Sequence, residues 1–175
     1  MPSSHRSASH IVLVGLMGAG KSTVGALLAK RLGRPFLDTD AMVEEGEGMT
    51  VAEVFSTLGE PAFRMLEADA VRRAVTSPLL SVIAVGGGAV VDPVNRERLS
   101  TAGHVVWLRG RPETLAARVG DPASRPLLVS SPVESLTRLA AEREAAYTAV
   151  AQVVVDVDGV PAAAVVDRLV EALAG

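Results

Sequence analysis

An α/β fold, three layers deep with a parallel sheet of about five strands flanked by helices, is predicted by three features of the chain. Short β-type runs recur at Ile11 to Val14, Pro35 to Leu37, Leu80 to Val85, His104 to Leu108 and Val153 to Val157, each separated from the next by helical pattern. Nearly half of the 175 residues are apolar but only 3% are aromatic, so Val, Leu and Ala must fill the interior, as suits strands buried on both faces. Between the first run and the first helix lies Gly15-Leu-Met-Gly18-Ala-Gly20-Lys21-Ser22, a complete phosphate-binding loop. The length suits one domain with a continuous core.

Each element has a local reason. Residues 1–10 are polar, Ser-rich and aperiodic, and read as a disordered tail ahead of a single domain over residues 11–175. The first strand and the loop lead into an amphipathic helix from Thr23 to Leu32. After the second strand, Thr50-Val-Ala-Glu53 has capping-box spacing and starts a short helix that Gly59 can end. Pro61 suits the first turn of the next helix, whose buried face is Phe63, Leu66, Ala70 and Ala74 at helical spacing. Asp92-Pro93 and Arg111-Pro112 mark two further helix starts. Gly120 to Pro132 holds three prolines and little periodicity, and reads as a mobile lid loop near residues 119–132, interrupted by Arg125-Pro-Leu-Leu128.

The phosphate loop carries the most specific chemistry. Its glycines let the backbone wrap an anion, so that the N–H groups of Gly18, Ala19, Gly20, Lys21, Ser22 and Thr23 can point at phosphate oxygens at the positive end of a helix. Lys21 reaches the β- and γ-phosphates of a nucleotide, and the Ser22 hydroxyl ligates Mg2+. Asp38-Thr-Asp40 follows the second strand, at the carboxyl edge where a parallel sheet forms its ligand crevice. One carboxylate there can hold the metal's water shell while the other meets the hydroxyl of a phosphoryl acceptor. Asp38 is the candidate for the metal, through water, because the third strand ends in Gly86-Gly87-Gly88 with no carboxylate. The competing reading for Asp40 is a helix N-cap, since an apolar-periodic stretch follows it. The three glycines are either a tight turn or a place where a small ligand meets backbone N–H groups directly. Arg64 and Glu67 stand three apart on one helix, where Glu67 can orient the guanidinium or the two can form a solvated surface pair.

Composition excludes several functions. With no cysteine there is no disulfide, thiolate catalysis or Cys-ligated zinc. A net charge of −3 without a Lys/Arg run gives no reason to expect nucleic acid or an anionic membrane as partner. Arg6 and the apolar stretch from Ile11 do not form a secretory signal, because glycines break the stretch and it runs into Lys21 with no cleavage pattern. The run from Val82 to Val91 is too short to span a bilayer. A cytoplasmic location is expected.

Taken in order, the phosphate loop, Asp38-Thr-Asp40, Gly46 to Phe55, Gly59-Glu60 with Phe63-Arg64, Gly86-Gly-Gly-Ala89, Arg125-Pro-Leu-Leu128 and Arg143 with Tyr147 resemble the motifs of shikimate kinases, over nearly the whole chain. The resemblance implies a three-layer P-loop kinase fold and transfer of the ATP γ-phosphoryl group to the 3-hydroxyl of shikimate, with Mg2+ as cofactor, in a monomer. It implies that Asp40 meets the acceptor hydroxyl and that Arg64 and Arg143 bind the shikimate carboxylate. Gly86, Gly87 and Gly88 would line the acceptor, with Arg118 packing on adenine and Arg125 closing over the γ-phosphate as a lid residue. Lys21, Asp40 and Arg125 would then be the catalytic residues. Two positions depart from the pattern: Ala145 stands where a proline is common, and Asp156-Val-Asp-Gly-Val-Pro161 lacks the basic residue often found beside adenine. The alternatives are another small-molecule P-loop kinase of gluconate-kinase type, and a nucleotide-gated binding module that transfers nothing.

Overall fold

The computed structural model describes residues 9–121, 124–128 and 131–174. Five parallel strands, β1 (His10–Val14), β2 (Phe36–Asp38), β3 (Val82–Ala84), β4 (Gly103–Arg109) and β5 (Val153–Asp156), form one sheet in the order β2-β3-β1-β4-β5. The chain leaves β1 at the centre of the sheet, runs to one edge and back through β3, then crosses to β4 on the other side. That reversal opens a crevice at the carboxyl ends of β1 and β3, where a doubly wound sheet binds its ligands.

Eight helices connect the strands among the described residues: α1 (Lys21–Leu32), α2 (Thr39–Glu47), α3 (Val51–Leu58), α4 (Glu60–Val75), α5 (Pro93–Ala102), α6 (Pro112–Arg118), α7 (Pro132–Val150) and α8 (Ala162–Ala174). Helix α1 packs on α8, whereas α5 packs against both α4 and α7, and the two groups flank the sheet. The core between them is aliphatic, with Val12, Leu13, Ile83, Val105 and Leu108 wholly buried. A second cluster of Val43, Val54, Phe63 and Ala70 joins α2, α3 and α4 beside the crevice, where the Phe55 and Phe63 rings meet at 4.6 Å.

The capping box is present: Thr50 Oγ1 accepts from Glu53 N–H at 3.2 Å, and Glu53 accepts from Thr50 N–H at 2.7 Å. His10, read from the sequence as part of the tail, is the first residue of β1 and is buried, its Nδ1 accepting from Ser81 N–H at 3.1 Å, and the Ser9 carbonyl accepts from Arg34 at 2.9 Å. Residues 1–8, and residues 122, 123, 129 and 130 of the expected lid loop, lie outside the described residues. The described part of that loop is tied down by Leu128, buried in the core with its N–H on the Arg125 carbonyl at 3.0 Å. No helix of the described residues is long and apolar enough to cross a membrane.

Candidate active site

The loop after β1 turns on glycines held at positive φ, Gly18 at 82° and Gly20 at 88°, which a side chain would strain. Helix α1 then begins at Lys21 with no side-chain cap and no acidic residue in its first turn, so its leading N–H groups are left for an anion. Lys21 folds back over the loop, its Nζ donating to the carbonyls of Gly15 at 2.7 Å and Leu16 at 3.0 Å. Burial lowers its pKa to about 8, reinforced by Arg125 and Arg143 and opposed by Asp40 and Asp38.

Asp38 does two jobs at the end of β2. Its Oδ1 caps α2, accepting from the N–H groups of Asp40 at 3.0 Å and Ala41 at 3.3 Å, while its Oδ2 accepts from the Ser22 hydroxyl at 2.5 Å. The capping role considered for Asp40 therefore belongs to Asp38, because the helix starts two residues earlier than the apolar pattern indicates. Asp40 lies inside the first turn and faces the cleft. Burial raises its pKa and Asp38 adds to the rise, against Lys21 and Arg125.

The three glycines after β3 are needed for space. A Cβ on Gly86 would sit 2.6 Å from Glu67 Oε1 and 2.7 Å from Asp40 Oδ1, one on Gly87 would crowd the Arg143 guanidinium at 3.2 Å, and one on Gly88 would collide with the Arg64 guanidinium. The segment is thus a bare shelf against which two carboxylates and two guanidiniums converge. Arg64 donates to Glu67 at 2.8 Å and to Glu60 at 3.2 Å. Glu67 is only 2% exposed, so this is no solvated surface pair. Burial opposes the Arg64 charge, but Glu67 and Glu60 more than offset it; burial raises the Glu67 pKa against the pull of Arg64.

Arg143 is 4% exposed, on an α7 that runs unbroken through Ala145, and it takes part in none of the ion pairs of the described residues. One turn on, the buried Tyr147 donates its hydroxyl to the Gly87 carbonyl at 2.6 Å and stacks its ring on Trp107 at 5.3 Å. At the other end of the cleft, the exposed Arg118 donates to the Val157 carbonyl at 2.9 Å, beside Val160, Pro161 and Val165. Arg125 is exposed, and its charge acts on both Lys21 and Asp40.

Every residue singled out from the sequence as a site candidate lines one cleft of about 1080 Å3. Its middle is the glycine-rich loop with Lys21, one end is apolar beside Arg118, and the other holds the opposed charges at the glycine shelf. Thr39, Glu60 and the Tyr147 hydroxyl had drawn no role from the sequence. All three stand within the motifs that carry the family resemblance, which gave none of them a role of its own.

The family model described as shikimate kinase matches residues 17–174. A shikimate kinase of Moorella thermoacetica is 49% identical over 164 residues, covering 94% of each chain. One of Symbiobacterium thermophilum is 50% identical over 147 residues, covering 82% of this chain and 84% of its own. A solved structure, the shikimate kinase of Acinetobacter baumannii in complex with shikimate, superposes with a TM-score of 0.91 at 36% identity, covering 94% of this chain and 92% of its own.

Proposed function

The chain belongs to the shikimate kinase family, and from that premise we propose that its cleft transfers the γ-phosphoryl group of ATP to the 3-hydroxyl of shikimate, giving shikimate 3-phosphate and ADP. One observation carries the assignment of the acceptor end. Arg143 is a buried guanidinium that forms none of the salt bridges of the described residues, its charge felt by Glu67 and by the Tyr147 hydroxyl, and it is set against the same bare shelf as Arg64. Buried charges are otherwise paired, so this one calls for an anion, and a small carboxylate fits two planar guanidiniums.

The rest of the cleft suits the same reaction. The phosphate loop and the uncapped start of α1 hold the nucleotide's phosphates, and Lys21 sets its charge where negative charge develops. Asp40, with its pKa raised by burial, accepts the proton of the attacking hydroxyl. Arg125 closes over the γ-phosphate, and Arg118 with the apolar wall around Val165 packs on adenine. Ser22 and Asp38 present adjacent hard oxygen donors that fit Mg2+, with Asp38 acting through water. No cluster of three acidic or imidazole side chains among the described residues could hold a metal alone, in keeping with an ion that arrives on nucleotide phosphates. When bound, Mg2+ neutralises charge on the β- and γ-phosphates. Because every site residue comes from one chain, a monomer suffices. A net charge of −3 with no Lys/Arg run gives no reason to expect nucleic acid or an anionic membrane as partner, and a cytoplasmic location fits the same reading.

The test is ADP release from MgATP with shikimate, gluconate, AMP or no acceptor. Shikimate alone should stimulate it. Equal release with gluconate, or release independent of any acceptor, would defeat the assignment.

A further inference from the structure

The shelf Gly86-Gly87-Gly88 has no side chains with which to hold its own shape. Four of its backbone groups are nevertheless engaged. The Gly86 and Gly88 carbonyls accept from Ala89 N–H at 3.0 Å and Val91 N–H at 3.1 Å, which are local turn bonds. The other two partners are distant in sequence. Gly86 N–H donates to Thr39 Oγ1 at 3.0 Å, across 47 positions, and the Gly87 carbonyl accepts from the Tyr147 hydroxyl at 2.6 Å, across 60. Among the described residues nothing accepts from Gly87 N–H or Gly88 N–H.

Both hydroxyls are buried, Thr39 wholly and Tyr147 to within 1% exposure, and each neighbours a charged group of the acceptor end. Thr39 precedes Asp40 in α2, and Tyr147 follows Arg143 by one turn of α7. We propose that Thr39 and Tyr147 are positioning residues for the acceptor: their hydroxyls pin the shelf to α2 on one side and α7 on the other, fixing its two unengaged N–H groups relative to Asp40 and Arg143. The inference rests on the acceptor reading given above. Neither residue touches the acceptor in this scheme: Thr39 acts through the backbone it holds, and Tyr147 through the Gly87 carbonyl and the Arg143 guanidinium that bonds its hydroxyl. Burial pushes the Tyr147 phenol up to about 12, so it keeps its proton through neutral pH, and stacking on Trp107 keeps its ring in place.

The test uses the full chain and the variants Thr39→Val, Thr39→Ser and Tyr147→Phe. Thr39→Val keeps the shape but strands the buried Gly86 N–H, while Thr39→Ser keeps the acceptor oxygen. Thr39→Val and Tyr147→Phe should each raise the KM for shikimate, or lower kcat, by about 10-fold, with the KM for ATP moving less than about twofold. Thr39→Ser should stay within about twofold of the parent on every parameter. A merely structural role would lower Tm and move both substrates' parameters together, and that result, or unchanged kinetics in both Thr39→Val and Tyr147→Phe, would overturn the proposal. Amide exchange of Gly86, followed by NMR without substrate, separates this inference from the acceptor reading. It should quicken at least ~10-fold in Thr39→Val and not in Thr39→Ser. If the parent released no ADP with shikimate, the acceptor reading would fall. Faster Gly86 exchange would then still uphold the hold on the shelf, and unchanged exchange would overturn it.

Discussion

Gly88 allows stability and function to be separated at one residue. Its backbone, at φ −93° and ψ −8°, accepts alanine without strain, and the atoms that a Cβ would displace are the far end of the Arg64 side chain. Gly88→Ala should therefore leave Tm within a few degrees of the parent while raising the KM for shikimate about 10-fold, with the KM for ATP unchanged. An unaffected shikimate KM would show that Arg64 is not needed where it stands. Lys21 supplies a second test, through pH. Its folded pKa of about 8 lies below the ordinary 10.5, so between those values the unfolded chain binds more protons and this group makes stability rise with pH. Its contribution to ATP binding moves the other way, because the charge that meets phosphate is lost. The kcat/KM for ATP should fall as pH passes about 8, and a profile flat to about pH 10 would contradict the burial of Lys21. Lys21 and Ser22 were legible in the sequence because a phosphate site is one continuous segment. The bonds of Thr39 and Tyr147 to the shelf were not, since a hydroxyl on a distant backbone group leaves no local pattern.

Among the elements, α3 has the most testable boundary. Thr50 and Glu53 satisfy each other's N–H groups, and the helix they start carries the buried Val54 and sets Phe55 in the cleft wall. Thr50→Ala should cost about 1 kcal/mol in urea unfolding at pH 7. The Glu53 carboxylate is held below its ordinary 4.5 by the Thr50 N–H, then by the Thr50 hydroxyl, so its contribution is complete above pH 4.5 and fades as pH falls through the lower folded value. The stability difference between the parent and Glu53→Gln should accordingly shrink in acid, and a difference constant with pH would remove the cap. This cap could be read in advance because its four residues are contiguous. The start of α2 could not be read as well, since Asp38-Thr-Asp40 offers two capping carboxylates and only the fold assigns the N–H groups to the first. The unbroken α7 had no clear signal either. Proline is absent at Ala145, and burial of Arg143, Tyr147 and Val150 on one face sets the path of the helix.

In the whole molecule, the site exists because the sheet order brings the ends of β2, β3 and β1 side by side. Asp38 lies opposite Ala84 in the β2–β3 register, and Ala84 opposite Leu13, so the aspartates, the glycine shelf and the phosphate loop share one edge. The alternation of strands and helices announced a parallel sheet, but runs of three to seven residues do not say which strand neighbours which. The order comes from helices packing on both faces, which no local stretch of sequence states. A monomer of 18.1 kDa should elute as such in gel filtration with full activity, and activity that rises with chain concentration would point to a shared site. The central claim is that this edge carries phosphoryl transfer, with Asp40 meeting the acceptor between Lys21 and the shelf. Asp40→Asn keeps the size of the side chain and removes the charge that receives the proton. The steady-state rate of the variant with saturating MgATP and shikimate is the decisive measurement: kcat should fall at least ~100-fold with the KM for shikimate altered less than about threefold, whereas an unchanged kcat would contradict the account.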